Sequence, residues 1–337
     1  MKKLLRYGFI AIITFLLLGY GTFLWKNSYE LGPDSKEEIV TIPKGATLSS
    51  VADSLAAKDL IRSKLLFKLA GKMLGASKDI QAGSYRIKHG LNNLEIISRL
   101  TSTSYAILFE ITFPEGSNIR RIASIARQKL YLDSALFVKL AYDTTFLRSL
   151  GLPREAKSAE GYLFPETYRL FVSVNAKELM TKMVSEWKQR VNDSLIKHAA
   201  SLGLSQHKFM TLASIVEAEA QRADERDTIA GVYWNRLKIG MKLDADPTVQ
   251  YGLSLDRPIT SAELRKENPY NTYINKDLPP GPINNPGIAA IKATLNYAKH
   301  DKIFFVAKRD GSGGHYFART MAEQERNIRR SNQNEGR

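Results

Sequence analysis

The chain has 337 residues, 44% hydrophobic and 25% charged, an ordinary globular balance with length for about two domains. Lys and Arg number 49 against 34 Asp and Glu, a net charge of +15 that suits nucleic acid, anionic lipid or an acidic cell-surface polymer. With no cysteine at all, disulfides, thiolate metal sites and a cysteine nucleophile are excluded.

The first element is an apolar run, "YGFIAIITFLLLGYGTFLW", residues 7–25, uncharged between Arg6 and Lys26 and close to the ~20 residues that cross a bilayer. A cleaved signal peptide shares the basic start, but its apolar core is usually ~7–15 residues long. No small-x-small site follows either; the next residues are "KNSYELGPDS". The run reads as one uncleaved transmembrane helix. Lys2, Lys3 and Arg6 precede it and only Lys26 stands immediately after, which places 1–6 in the cytoplasm and the rest of the chain outside the membrane. Nucleic acid is therefore the least suitable anionic partner. Residues 26–38, polar with a Gly-Pro pair, form a linker.

Two segments then resemble one another, "TIPKGATLSSVADSLAAKDLIRSKLLF" from Thr41 and "TFPEGSNIRRIASIARQKLYLDSALF" from Thr112. Each predicts a strand ending in a Pro-charged-Gly turn, at Pro43-Lys44-Gly45 or Pro114-Glu115-Gly116, and an amphipathic helix starting near Thr47 or Asn118. Two related α+β units are expected, at 39–104 and 105–174. In the first, a strand over Gly83 to Ile87, a turn at His89-Gly90 and a helix from Asn92 complete a pattern that resembles a small LysM-like peptidoglycan-binding module.

From 175 the pattern turns helical, with Leu179, Met183, Trp187 and Val191 at four-residue spacing, then "HKFMTLASIVEAEAQ" and "DERDTIAGVYWNRLKIG". Three successive helices are expected as the body of a C-terminal domain at 175–330. Beyond Gly240 the chain is rich in proline turns. A short helix at 288–299, a strand in "KIFFVAK" and a hairpin-like return in "GGHYFART" follow, and 331–337 is a polar tail. The fold class is α+β: one N-terminal transmembrane helix, the small module, and a mixed α+β catalytic domain with a helical body.

No G-x-S-x-G elbow, H-E-x-x-H, Walker A or G-x-G-x-x-G stretch is present, and five histidines make a zinc site unsuited to the chain. "DADPT", Asp244 to Thr248, reads as a proline turn rather than a cation site. Neither a metal nor a cofactor is expected. What stands out is "TLASIVEAEAQ", an apolar helix carrying Glu217 and Glu219. Two positions on a helix are about 200° apart, so the two carboxylates face different ways and must differ in role. Either could be a solvated or ion-paired residue, with Arg222 or Arg226 as partner. A carboxyl walled by apolar groups is instead held protonated near neutrality, as a general acid requires. Glycoside cleavage is the chemistry that fits, normally with two carboxyl groups about 5–9.5 Å apart. A lone acid suffices where the substrate supplies its own nucleophile.

Seven ordered blocks carry a resemblance to a known family: "EGYLFPETY" (160–168), "LASIVEAEA" (212–220), "ERD" (225–227), "NRLKIGMKLDADPTVQYGL" (235–253), "NPYNTY" (268–273), "LPPGPINNPG" (278–287) and "GGHYF" (313–317). With the N-terminal span, the chain resembles the endolytic murein transglycosylase, or YceG-like, family of bacterial inner membranes. The resemblance implies that Glu217 is the acid/base. It would protonate the glycosidic oxygen between N-acetylmuramic acid and N-acetylglucosamine and then help the muramic C6 hydroxyl attack C1, leaving a 1,6-anhydro end without water. It implies that Glu219, Asn235, Asp246, Thr248 and Tyr251 line the cleft or hold Glu217, and that Tyr162, Tyr168, Tyr273 and His315 offer sugar-facing rings or else core packing. Ala218 departs from an often charged position and is expected to be exposed. Glycan strands of peptidoglycan are the implied partner, with peptidoglycan synthases alongside. Two other readings stay open on the residues: a muramidase-type hydrolase with a water-activating base such as Asp246, and a noncatalytic wall-binding scaffold acting through 39–101.

Overall fold

The computed structural model describes residues 7, 12–15, 18, 19, 36–43, 45–171 and 174–335. Most of the expected span at 7–25 and of the linker at 26–38, and all of 1–6, lie outside the described residues. Among the described residues no helix is long and apolar enough to cross a membrane. The chain divides into two compact units, Met1–Ile111 with Tyr168–Val174, and Thr112–Thr167 with Asn175–Arg337. The stretch expected as a second module at 105–174 is thus shared between them, most of it belonging with the helical body.

In the first unit, β1 (Glu37–Ile42) buries Val40 and Ile42 with the period of two of a strand that has one wet face. It pairs antiparallel with β2 (Gly83–Lys88), Glu37 opposite Lys88 and Ile42 opposite Gly83. Between the two strands come α1 (Leu48–Ala56) and α2 (Lys64–Met73), and after them α3 (Asn93–Leu100). Each helix starts on a side-chain cap: Thr47, Ser63 and Asn92 each accept from the backbone N–H three residues on, and Glu95 completes a capping box with Asn92. Phe67, Tyr85, Ile87, Ile96 and Leu100 fill the core between strands and helices. A second two-stranded sheet joins β3 (Leu108–Thr112) to β4 (Thr167–Phe171).

The second unit opens with the same grammar as the first. Gly116 turns in the left-handed region at φ +70°, as Gly45 does at +76°, and Asn118 then caps α4 (Ile119–Leu130) as Thr47 caps α1. The short helices α5 (Ser134–Ala141) and α6 (Thr144–Ser149) follow. The helical body has one helix more than the sequence suggests. α7 (Ala176–Arg190) stops at Val191, because Asn192 turns its side chain to the Leu195 N–H and starts α8 (Asp193–Ser201). α9 (Gln206–Glu219) and α10 (Arg226–Lys238) complete the body.

The proline-rich part also differs from the turn reading. Asp246-Pro247 opens a helix, α11 (Asp246–Leu253), since proline in the first turn of a helix loses no hydrogen bond. α12 (Ile288–Leu295) is shorter than the expected 288–299. It leads to the antiparallel pair β5 (Phe304–Ala307) and β6 (His315–Ala318). The expected polar tail is helical as far as the structure describes it: α13 (Met321–Glu335) carries Ser331 and Asn334, which donate to the carbonyls of Ala307 and Lys308.

α9 is buried on every side from Phe209 to Val216, packed by α8, α10, α11 and α12. A helix apolar all round belongs at the centre of its unit. Phe209 is completely enclosed. Phe209→Ala is expected to cost about 3–5 kcal/mol of unfolding free energy; denaturant titration measures it, and a loss under about 1 kcal/mol would deny α9 that central place.

Candidate active site

Glu217 lies in the last turn of α9, where the buried helix reaches the surface. Its neighbour Ala218 is exposed. Three stretches meet around the Glu217 side chain. Gly116, from the turn before α4, lies against it: a Cβ on Gly116 would stand 3.6 Å from Glu217 Cγ. Gly287, which caps α12, donates its N–H to Glu217 Oε2 at 3.2 Å. Glu115 packs its carboxylate so tightly on Gly287 that a Cβ there would collide with it. A side chain at position 287 would displace the Glu115 carboxylate from this place.

The segment that delivers Gly287 is fixed to α9 one turn before Glu217. Ser214 Oγ accepts from Ile283 N at 3.0 Å, and Asn284 Nδ2 donates to the Ser214 carbonyl at 2.8 Å. Asn285 holds the other side. Its Nδ2 donates to the Ser117 carbonyl (2.9 Å) and to Glu160 Oε1 (2.8 Å), while its Oδ1 accepts from Leu163 N (2.8 Å). Main-chain bonds from Gly116 N to the Asn285 carbonyl and from Asn285 N to the Ser117 carbonyl close the clamp, both at 3.0 Å.

Burial raises the pKa of Glu217, and the negative charge of Glu115 raises it further. The Gly287 N–H and Arg226 pull the other way with less effect. The C-terminal end of a helix also disfavours a carboxylate. The protonated form is therefore favoured more strongly here than in a freely exposed glutamate.

Beside it opens a cleft of about 490 Å³, lined by Gly116, Ala218 and Asn284 next to Glu217 and by Tyr142, Tyr251 and Tyr270 among others. Tyr251 and Tyr270 stand with ring centroids 4.9 Å apart. Asn284 Oδ1 is buried and has no partner among the described residues, so an unused acceptor lies within this wall of the cleft. Glu160, almost fully enclosed, also borders the cleft. Both its oxygens accept from Ile119 N at the start of α4, and Tyr251 reaches it as well.

The residues expected from the sequence separate into groups. Tyr251 lines the cleft; none of the other supporting candidates does. Glu219 points away from Glu217, accepts from Tyr233 OH at 3.1 Å, and is pushed up to about 7 by burial. Asp246 accepts the hydroxyl of Tyr273 at 2.6 Å, and its charge adds to the upward shift of Glu219. Asn235 pins the stretch before β5 by donating to the carbonyls of His300 and Lys302. Thr248 is buried against Ala245 and Thr272 at the start of α11. Tyr162 is a core residue, its hydroxyl on His207 Nδ1 and its ring edge-on to Trp187. Tyr168 is buried and falls in the first unit. His315 is held by Glu225 at 2.8 Å and packs on Phe305. Among the described residues no group of three or more acidic or histidine side chains is placed to hold a metal ion.

Two residues of this site escape the sequence reading. Glu115 looks like a turn residue, and only its replacement of Lys44 in the otherwise similar turn hints at more. Glu160 opens the block "EGYLFPETY" without any periodicity that marks it as buried.

The model of the YceG-like family matches residues 40–330. An endolytic murein transglycosylase of Bacillus subtilis (strain 168) is 34% identical over 91% of this chain and 89% of that relative. One of Streptococcus pneumoniae serotype 2 (strain D39) is 28% identical over 95% of this chain, which spans 64% of the relative's length. The crystal structure of a yceG-like protein from Listeria monocytogenes superposes with a TM-score of 0.60 at 30% identity, covering 87% of this chain and 99% of that one.

Burial holds Glu160 up at about 8 against an ordinary 4.5. Between those values the folded chain keeps a proton that the unfolded chain has released, so this residue's contribution to stability falls as pH rises and is fully lost above about 8. Glu160→Gln should flatten the fall by up to about 1.4 kcal/mol per pH unit. Denaturation series at several pH values test this, and an unchanged slope would put the retained proton elsewhere.

Proposed function

The chain belongs to the YceG-like family, and from that premise we propose that it is a membrane-anchored endolytic murein transglycosylase with Glu217 as its single acid/base. One observation carries the assignment of Glu217: a half-buried carboxyl, raised by burial and by Glu115, stands beside a cleft walled by tyrosines and amides. Rings and amide groups are the usual partners of sugar faces and hydroxyls.

The reaction follows from that carboxyl. Protonated Glu217 gives its proton to the glycosidic oxygen between N-acetylmuramic acid and N-acetylglucosamine, and the C1–O bond breaks. The carboxylate left behind is stabilised by the Gly287 N–H on Oε2 and by Arg226. As a base it takes the proton of the muramic C6 hydroxyl while that oxygen bonds to C1. The proton returns to Glu217, the product ends in 1,6-anhydromuramic acid, and no water is consumed.

Glu115 supports this cycle by raising Glu217, so that its proton is kept to higher pH than in a free glutamate. The same residue favours a second reading, a muramidase in which Glu115 rather than Asp246 activates a water. Asp246 interacts with Glu219 and Tyr273 and not with Glu217's surroundings.

The apolar run at 7–25 serves as the anchor, with the N-terminus in the cytoplasm and both units outside the inner membrane. The β-α-α-β order of the first unit supports reading it as a LysM-like module that meets the glycan. Nascent strands at the membrane are the substrate, and the synthases that make them are the fitting neighbours.

Glu217→Gln is expected to abolish cleavage of glycan strands with an unchanged melting profile. Mass spectrometry of wild-type digests should show ends one water lighter than hydrolysed ends; full-weight reducing ends would establish the muramidase instead. Glu115→Gln removes a charge that raises Glu217, so the acid loses its proton at lower pH. The alkaline limb of the kcat/KM profile should move toward acid, and a limb that stays in place would detach Glu115 from the proton's control.

A further inference from the structure

α2 of the first unit has three kinds of surface. Phe67, Ala70 and Gly71 face the core. Lys64, Lys68 and Lys72 form a row four residues apart. One position on, about 100° around the helix, Leu65, Leu69 and Met73 form a parallel row. These three are 64%, 44% and 75% exposed, and Leu74, which follows, is 55% exposed. Four large apolar side chains on little more than two turns form a contiguous patch rather than a scatter of single ones.

The charge around this patch has one sign. Residues 62–78 hold Arg62, Lys64, Lys68, Lys72 and Lys78 and no acidic residue. The acidic groups nearby in sequence or space are Asp53, which pairs with Lys64 at 2.7 Å, Asp59 and Asp79. Lys68, Lys72 and Lys78 border a hollow with Pro43, Thr47 and Ser77, so the cations stand along one side of the apolar row.

Chain length supplies the last element. About a dozen residues separate the end of the apolar run at Trp25 from the start of β1 at Glu37. Even fully extended they span no more than about 40 Å. A unit tethered that closely samples the bilayer surface at high effective concentration, and a weak interfacial contact then suffices.

We propose that the Leu65, Leu69 and Met73 face of α2, with its flanking lysines, docks on the anionic surface of the membrane that anchors the chain. The apolar row enters the boundary between headgroups and acyl chains, and the lysines meet the lipid phosphates. This rests on the anchor reading above.

The lack of cysteine makes the test direct. Full-length chain carrying Leu69→Cys, labelled with an environment-sensitive fluorophore, is reconstituted into vesicles of phosphatidylglycerol and phosphatidylcholine. A second preparation carries the label at Ser98→Cys, an exposed position on α3. The expected result is a blue shift and quenching by spin-labelled lipid at 69 and neither at 98. Lys68→Gln with Lys72→Gln should weaken the docking by on the order of tenfold, and vesicles of phosphatidylcholine alone or ~1 M salt should weaken it likewise.

A chain that stays in the vesicles with no lipid quenching at 69 overturns the docking and leaves the anchor standing. A blue shift without lipid quenching also overturns it, because protein then covers the face. A chain stripped from the vesicles by carbonate overturns the anchor reading, and the tethered docking with it.

Discussion

The site depends on the side chain of Asn285. It is 1% exposed and satisfies the Ser117 carbonyl, Glu160 and Leu163 N–H at once, joining two stretches that are distant along the chain. Without it the Leu163 N–H would lose its side-chain partner, at about 1–3 kcal/mol, while the Ser117 carbonyl and Glu160 would each lose one of several. Because Asn285 is fixed, Gly287 two residues on arrives at Glu217 with its N–H pointing at Oε2. The polar network thus sets the position of the one donor that touches the reactive carboxyl, a task that apolar packing alone does poorly because it has no direction.

The end of α9 then divides its two carboxylates. Glu217 faces glycines on both flanks and opens on a cleft, while Glu219 faces Tyr233, with Arg236 and Asp246 near by. Burial raises both, so the shift alone does not identify the reactive one. Access does: the cleft opens beside Glu217 at Gly116 and Ala218, whereas Glu219 has a phenol on its oxygen. Gly116 is needed for its left-handed backbone, whereas Gly287 matters for the side chain it lacks.

Local grammar was well written in the sequence. The caps at Thr47, Asn92 and Asn118, the burial of Leu179, Met183, Trp187 and Val191, and the opposite facing of Glu217 and Glu219 all follow from spacing and side-chain chemistry. Interactions between distant segments were not. Nothing local in "PINNPG" says that one asparagine leaves an acceptor in the cleft wall and the next clamps the turn at 117. The proline rule misled at Asp246, because the same preference that ends helices also starts them. The aromatics of the blocks divide between cleft and core on burial, which composition does not encode: Tyr251 lines the cleft and Tyr162 is sealed against His207.

Glu115 changes how a single acid is understood here. Two carboxyl groups that share one glycine cannot both ionise without repulsion, and the proton settles on the one that loses more by being charged. Glu115 is exposed and Glu217 is half-buried, so water screens the first while burial penalises the second. The arrangement raises Glu217 without enclosing it, which a glycan-cutting site needs because a polymer must enter and leave. A fully enclosed acid such as Glu160 is raised further, yet no bond to be cut could reach it. Partial burial with a charged neighbour reconciles a raised pKa with an open cleft.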